Sequence, residues 1–446
     1  MSTARYRFRN WAKTYGCEVA ACHQVRGEEE IVELVRGARR RGVRLKPVGG
    51  GHSWSDIALT DGELVRLDGH DQVLAVDRER CQVTVQAGIR LRQLNALLPE
   101  HGLGLSNLGS IAEQSIAGAT ATGTHGTGIR FGNLATQVVA MRLVTGAGEV
   151  RELSAEQDPE LFSAARVGLG ALGIVSSVTL QCEPAFRLEE RAFALPLERA
   201  LAEMDALVEE HEHVKFWWMP HTDSVQVFTC RRTDAPLRRR AVRRWLDHSP
   251  VTRSLFAGLL RLSRLAPGAI PTLNRVINVA YFRPGQRIDR SDRVFNTIMP
   301  PVHRETEYGI PRSQAAAALA QLRELIERHR LHVNFFVELR FVAGDDILMS
   351  PCYGRPSCLI GAYMYPSRSL ETYFQEFERL MVELEGRPHW GKEFSIDAAT
   401  LRRLCPGCDR FAEIRRRLDP DGVFENDFVR RVFAAASPAV AEAAGG

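Results

Sequence analysis

The sequence predicts an α+β protein in two parts, and three observations carry that prediction. Its 446 residues are more than one hydrophobic core readily organises, so two domains are expected. The texture also changes near residue 181. Before it, short alternating runs mix with helices and glycine-rich turns; after it, long strands are separated by helices in an antiparallel pattern. The third observation is "VGGGHSWSDIALTDG" (48–62), where three glycines stand directly before a histidine. Consecutive glycines are costly inside a helix or strand. They make sense where backbone N–H groups approach a ligand closely, most often a phosphate. No Lys-Ser/Thr pair follows them, so a Walker A loop is excluded.

Composition narrows the function classes. With 45% hydrophobic and 25% charged residues the chain is ordinary globular protein. A net charge of +4, with arginine spread over most of the length, argues against nucleic acid as the main partner. "MSTARYRFRNWAKTYGC" lacks the apolar stretch of a signal peptide, and no run reaches the roughly 18 apolar residues of a spanning helix. Nine scattered cysteines make no disulfide framework, and Cys405-Pro-Gly-Cys408 has no second CxxC to complete a zinc site. The expectation is a reduced, cytoplasmic protein without a metal.

Taken in order, "EEEIVELVRGARRR" (28–41) has helical spacing and ends before Gly42, and "VRLKPVGGG" is a strand feeding the glycine turn. "LVRLDG", "VLAVD" and "CQVTVQAG" are short strands, and "LRQLNALLPEHG" is a helix closing on Gly102. Residues 104–128 are dense in Gly, Ser, Thr and Ala, which suits backbone wrapped around a ligand. "QVVAMRLVTGAGEV" reads as a hairpin, then "PELFSAARVGLGALGIVSSVTLQC" as helix, glycine corner and buried strand. Gly168, Gly170 and Gly173 in that corner satisfy GxGxxG, but a dinucleotide fingerprint needs the strand first and the helix after. The order is reversed, so a Rossmann reading is set aside. Near the end, "IRRRLDPDGVFENDFVRRVF" is a helix, a turn and a short aromatic-rich element.

Three features of the second part stay ambiguous at this level. The arginine-rich run from 231 leads to Leu255, Phe256, Leu259, Leu260 and Leu262 on roughly one helical face. Through residue 265 it is either a solvated loop with a packed helix or a weak membrane-surface anchor. His211, His213 and His221 have a metal-like spacing without a carboxylate–histidine cluster beside them. In "VNFFVELRFV", Val333, Phe335, Val337, Leu339 and Phe341 make one apolar strand face, with Asn334, Phe336, Glu338 and Arg340 opposite. Opposite charges at i, i+2 are either a surface ion pair or two groups facing something polar.

The motifs "NWAKTYGC", "VGGGHSWSDIALTDG", "SNLGSIAEQSIAGATATGTHGTG", "GALGIVSSVTLQC", "DDILMSPC", "RPHWGK" and "LDPDGVF" occur in order over nearly the whole chain. Together they resemble the aldonolactone oxidases, sugar-lactone oxidases of the vanillyl-alcohol-oxidase type of FAD flavoproteins. The resemblance implies a two-domain FAD-binding fold with an antiparallel-sheet substrate (cap) domain. It places an FAD-binding domain at 1–180, the cap at 181–395 and a segment returning to the FAD domain at 396–446. It implies that Pro47, Val48, Gly49, Gly50, Gly51 and Ser53 hold the cofactor and that His52 is bonded covalently to the flavin 8α-methyl. A histidine merely capping the turn is the plainer alternative. Ser115, Gly118, Thr122, Gly123, Thr124, His125, Val175 and His389 match further cofactor-contacting positions.

By the same resemblance, Arg340 orients or polarises a lactone, Glu338 holds its hydroxyls, and Lys392 stabilises the anionic reduced flavin. Ser110 touches substrate and flavin, and Gly109 leaves a path for O₂. One departure is Phe394, where close relatives can carry a second histidine; phenylalanine moves no proton. The leading expectation is an oxidase taking hydride from the carbon bearing a lactone's 2-hydroxyl, reducing O₂ to H₂O₂ and yielding an ascorbate-type product. An alditol or other sugar oxidase is the alternative within the same class. A non-catalytic flavin- or nucleotide-binding module is the alternative outside it.

Overall fold

Charge and apolar spacing build the first helix, Glu28–Arg41. Glu28, Glu29 and Glu30 occupy its first turn and Arg39, Arg40 and Arg41 its last, each complementing the helix dipole. Ile31, Val35 and Ala38 face inward, and Gly42 ends the helix at φ 66°. A computed structural model of the chain describes residues 5–238, 250–297 and 301–434, with the side chains of 250–257 outside that description.

The first part carries two larger sheets beside the two-stranded ribbon of Tyr6–Arg9 and Gly16–Val19. Cys22–Gln24, Glu63–Arg66 and Leu45–Val48 form a parallel three-stranded sheet, so the strand entering the glycine turn is an edge strand. Val150–Ser154, Val138–Val144, Ile174–Gln181, Gln82–Gln86 and Val73–Asp77 form an antiparallel five-stranded one in that order. The GxGxxG corner follows the helix Pro159–Arg166 and precedes the strand Ile174–Gln181. Its Gly173 sits against the neighbouring strand, where a Cβ would come 2.4 Å from the Val144 carbonyl oxygen. Residues 104–128 are not wrapped loop throughout: Ile116–Ala121 is a short helix whose N-cap, Ser115, accepts from the Gly118 N–H at 3.2 Å.

The second part is one antiparallel sheet of eight strands. Their order is Gly285–Arg290, Arg187–Pro196, Ser224–Arg232, His213–Trp218, Val337–Val342, Ser357–Met364, Arg304–Pro311 and Arg387–Pro388. Helices Leu197–Glu210, Ala315–Arg328 and Leu370–Glu383 cover one face, and Val337, Leu339 and Phe341 point into that core. The strand predicted from Val333 begins only at Val337. Asn334 interrupts it, donating to Ser263 Oγ and the Tyr365 carbonyl and accepting from the Tyr365 N–H. The chain then returns. Helices Ala398–Leu404, Cys408–Leu418 and Asp427–Val432 share a core with residues 57–182.

Candidate active site

Strand alternation puts Trp217, Glu338, Arg340, Gly361, Tyr363, Glu305 and Glu307 on the face opposite the helices. Register aligns Trp217 with Glu338, Glu338 with Gly361, and Gly361 with Glu307 across four strands. Gly361 has a steric reason: a Cβ there would stand 3.1 Å from the Tyr363 ring, which leans across toward Glu338. This face walls a cavity of about 860 Å³. Glu338, Arg340, Lys392, Gly109, Ser110, Thr122, Thr124, His125, His389, His52 and Ser53 all line it. A second, narrower cavity of about 120 Å³ is lined by Pro47, Val48, Gly49, Gly50, Gly51, Ser115, Gly118 and Val175. His52, Ser53, Gln114 and Thr122 line both, so the two spaces meet at His52. Gly123 lines neither; at φ 71° it makes the turn between Thr122 and Thr124.

The surroundings of Glu338 revise its expected role. Its carboxylate accepts from Trp217 Nε1 at 2.7 Å, Tyr363 Oη at 2.7 Å and Arg340 Nη2 at 2.7 Å. Most of its acceptor capacity is therefore spent inside the protein, and little remains for substrate hydroxyls. Burial alone would raise this carboxyl; Arg340 first, then Lys215 and the two hydrogen bonds, hold it below the usual range. Glu338 fixes Arg340, whose Nη2 also donates to Ser110 Oγ at 2.8 Å. The charge pair is thus buried rather than on an exposed sheet.

Sequence reasoning missed the strand beside Lys392. Lys392 Nζ is ion-paired with Glu305 and lies 4.1 Å from the Trp54 ring centroid. Glu305 is buried, and its Oε1 has no hydrogen-bond partner. His303 donates from Nδ1 to the Pro301 carbonyl at 2.9 Å, and its Nε2 lies 3.8 Å from Glu305 without a hydrogen-bond partner. Two residues further, Glu307 accepts from His125 Nε2 at 3.1 Å, and that pairing outweighs burial to hold its carboxyl well below the usual range. His303, Glu305 and Glu307 alternate at strand period, which was the available signal.

His125, Glu307 and His389 form the one metal-competent cluster among the described residues. Both nitrogens of His125 already face protein oxygens, those of Gly126 O and Glu307. His389 is pushed down to about 3 by burial and accepts from the Gly391 N–H. His211, His213 and His221 do not cluster among the described residues. His213 instead bonds the Thr127 carbonyl and stacks on Phe131. Cys405 and Cys408 are buried thiols. Phe394 faces away from the chemistry, packed on Trp390 and Phe428.

The residues at the junction suit a flavin dinucleotide. A Cβ at Gly49 would fall 2.1 Å from Ser115 Oγ, and one at Gly50 2.7 Å from the Glu113 carbonyl, so only bare backbone fits that cradle. His52 stacks on Trp11, its Nδ1 is buried without a partner, and burial lowers its pKa and keeps it neutral. Lys46, also missed, is buried beneath the turn, with only the carbonyls of Gly170 (3.2 Å) and Leu169 (3.4 Å) as hydrogen-bond partners. Burial pushes it down to about 7 from 10.5. Between those values the unfolded chain binds the extra proton, so this lysine makes stability rise with pH from 7 toward 10. Lys46→Met should remove that rise, at most about 1.4 kcal/mol per pH unit. Thermal melts of the flavin-free chain across that range check it.

This fold and this pair of cavities define an FAD-dependent oxidoreductase. The family model "FAD binding domain" matches residues 19–154, and "D-arabinono-1,4-lactone oxidase" matches residues 178–432. The chain is 39% identical to L-gulonolactone oxidase of Scyliorhinus torazame over 97% of its own length and 99% of the relative's. It is 40% identical to L-gulono-1,4-lactone dehydrogenase of Mycobacterium tuberculosis over 95% and 98%. The crystal structure of cholesterol oxidase from B. sterolicum shares the fold, with a TM-score of 0.82 at 18% identity, covering 96% of this chain and 97% of that one. The chain belongs to the aldonolactone oxidase and dehydrogenase family.

Proposed function

We propose that the protein oxidises a sugar 1,4-lactone of the L-gulono type at the carbon bearing its 2-hydroxyl. The product is a 2-keto lactone that enolises to an ascorbate-type compound, and dioxygen is the acceptor, yielding H₂O₂. The observation that carries this reading is the meeting of Arg340, Ser110 and Lys392 in one cavity that opens at His52. FAD, bonded to His52, supplies the acceptor for the two electrons that leave with the C–H hydrogen.

The chain's own groups bind and orient. The Arg340 guanidinium, held by Glu338 and Ser110, presents its remaining donors to lactone oxygens. Lys392, positioned by Glu305 and Trp54, contributes positive charge where negative charge accumulates as hydride departs. A panel of lactones and alditols, scored by anaerobic bleaching of the yellow protein and by peroxide release, tests the reading. Bleaching by alditols alone would make it a polyol oxidase, and no bleaching by any member would leave a binding module.

A second reading concerns the acceptor, since the relative in Mycobacterium tuberculosis is named a dehydrogenase. Gly109 bears on this choice. A Cβ there would stand 3.1 Å from both the His125 carbonyl and Thr124 Cγ2, so an alanine must push its neighbours by a few tenths of an ångström. As an oxygen path, Gly109 gives a specific expectation. Gly109→Ala keeps anaerobic reduction by substrate, slows reoxidation by O₂, and regains turnover with an artificial electron acceptor. A parallel fall in both half-reactions would make it a packing residue.

A further inference from the structure

Among the described residues, five that line the large cavity carry a buried polar atom without a hydrogen-bond partner: His52, Gln114, Gln226, His303 and Glu305. Four of them have a place in the site already described. His52 and Gln114 line both cavities, Glu305 is paired with Lys392, and His303 lies against Glu305. Gln226 has no such place. It is 2% exposed, and neither its Nε2 nor its Oε1 has a partner. Buried amides are otherwise almost always paired, because an unmade hydrogen bond away from water is costly.

Strand alternation aims Gln226 at the cavity. In Ser224–Arg232, Val225 and Val227 enter the core beneath the helices, while Gln226 and Phe228 line the opposite face. Register pairs Gln226 with Trp217, which pairs in turn with Glu338. Gln226 therefore stands two strands, about 10 Å, from the residue that fixes Arg340. Its neighbours in the wall do not satisfy it. Trp217 Nε1 already donates to Glu338, and the Met219 and Phe228 side chains are apolar.

We propose that Gln226 is a specificity residue that binds the hydroxyl-bearing side chain of the lactone, beyond the ring held at Arg340. The assignment rests on the lactone reading above. A carboxamide offers both donors and an acceptor, which suits a hydroxyl, itself donor and acceptor. Being uncharged, it favours a neutral polyol tail over a carboxylate or phosphate, which arginine or lysine would meet instead. Of a 1,4-lactone held at Arg340 by its ring, the side chain is the part that can extend along this row of strands.

Anaerobic reduction of the flavin-loaded, full-length protein by two substrates tests this. One is L-gulono-1,4-lactone. The other is L-erythrono-1,4-lactone, which keeps the ring with its 2- and 3-hydroxyls but has no side chain. Gln226→Leu should raise the half-saturating concentration of the six-carbon lactone at least about tenfold, and that of the four-carbon one by less than about twofold, with limiting rates little changed. Where the four-carbon lactone reduces the flavin too slowly to follow, its affinity is read from competition with the six-carbon one. The variant should melt no lower than the parent, since leucine removes an unpaired amide and no protein hydrogen bond. A lowered melting temperature with both lactones weakened alike makes Gln226 a packing residue and overturns the proposal, as does an unchanged preference for the six-carbon lactone. In those cases the parent is still reduced by lactone and only this assignment falls. A parent reduced by neither lactone overturns the lactone reading, and this assignment with it.

Discussion

His52→Ala yields protein whose flavin passes entirely into the supernatant on acid precipitation, whereas the parent's yellow colour stays with the pellet. This all-or-none change follows from the junction geometry. His52 is one of the four residues that line both cavities, and burial lowers its pKa, which favours the neutral ring with a free lone pair. Its Nδ1 is buried without a hydrogen-bond partner. A neutral imidazole is nucleophilic toward the flavin's electrophilic 8α position, and a protonated one is not. Attachment also withdraws electron density from the ring system, so the variant, reloaded with free FAD, should be reduced by substrate more slowly. Flavin appearing in the parent's supernatant would remove the covalent link from the account without touching the lactone reading.

Lys392→Met should slow anaerobic flavin reduction by about 10²–10³-fold, the cost typical of losing one preorganised electrostatic group. The half-saturating lactone concentration should move by less than about threefold, because the charge that Lys392 offsets develops only as hydride leaves. Arg340→Ala should divide differently, weakening half-saturation as well as rate, since on the proposed reading its guanidinium holds the bound lactone. Stopped-flow reduction over a range of lactone concentrations separates the two. If Lys392→Met changed only half-saturation, the lysine would be a binding group and nothing more.

The parts of this protein that were legible in sequence share a physical property: their causes are local. Gly42 and Gly102 adopt positive φ because the helices before them end there. The turn at 49–51 is glycine because neighbouring atoms leave no room for Cβ. Glu338 and Arg340 lie two residues apart on one strand, so their common direction could be read directly. What was not legible depends on pairing between distant strands. Trp217 and Tyr363 reach Glu338 only because strands 213–218 and 357–364 flank it, so its role as holder of Arg340 was invisible. Glu305 meets Lys392 across 87 residues of sequence, and Lys46 meets Gly170 across 124. No periodicity in one strand announces a partner that far away. Phe394 illustrates the converse: its aromatic character was plain, but not the side of the chain on which it packs.

The return of the chain's last helices has a consequence for how the protein is made. Leu401, Phe411 and Phe428 sit in the same core as Ile116, Leu143 and Leu180. Asn426 donates to the carbonyls of Ile57 and Leu59, immediately after the glycine turn and its histidine. During synthesis, the walls around that turn therefore lack part of their support until the final helices have left the ribosome. Premature termination near residue 395 would leave an apolar surface open in the half that appears first, a target for chaperones and proteases. The half of the protein that is made first thus completes its core with the part that is made last.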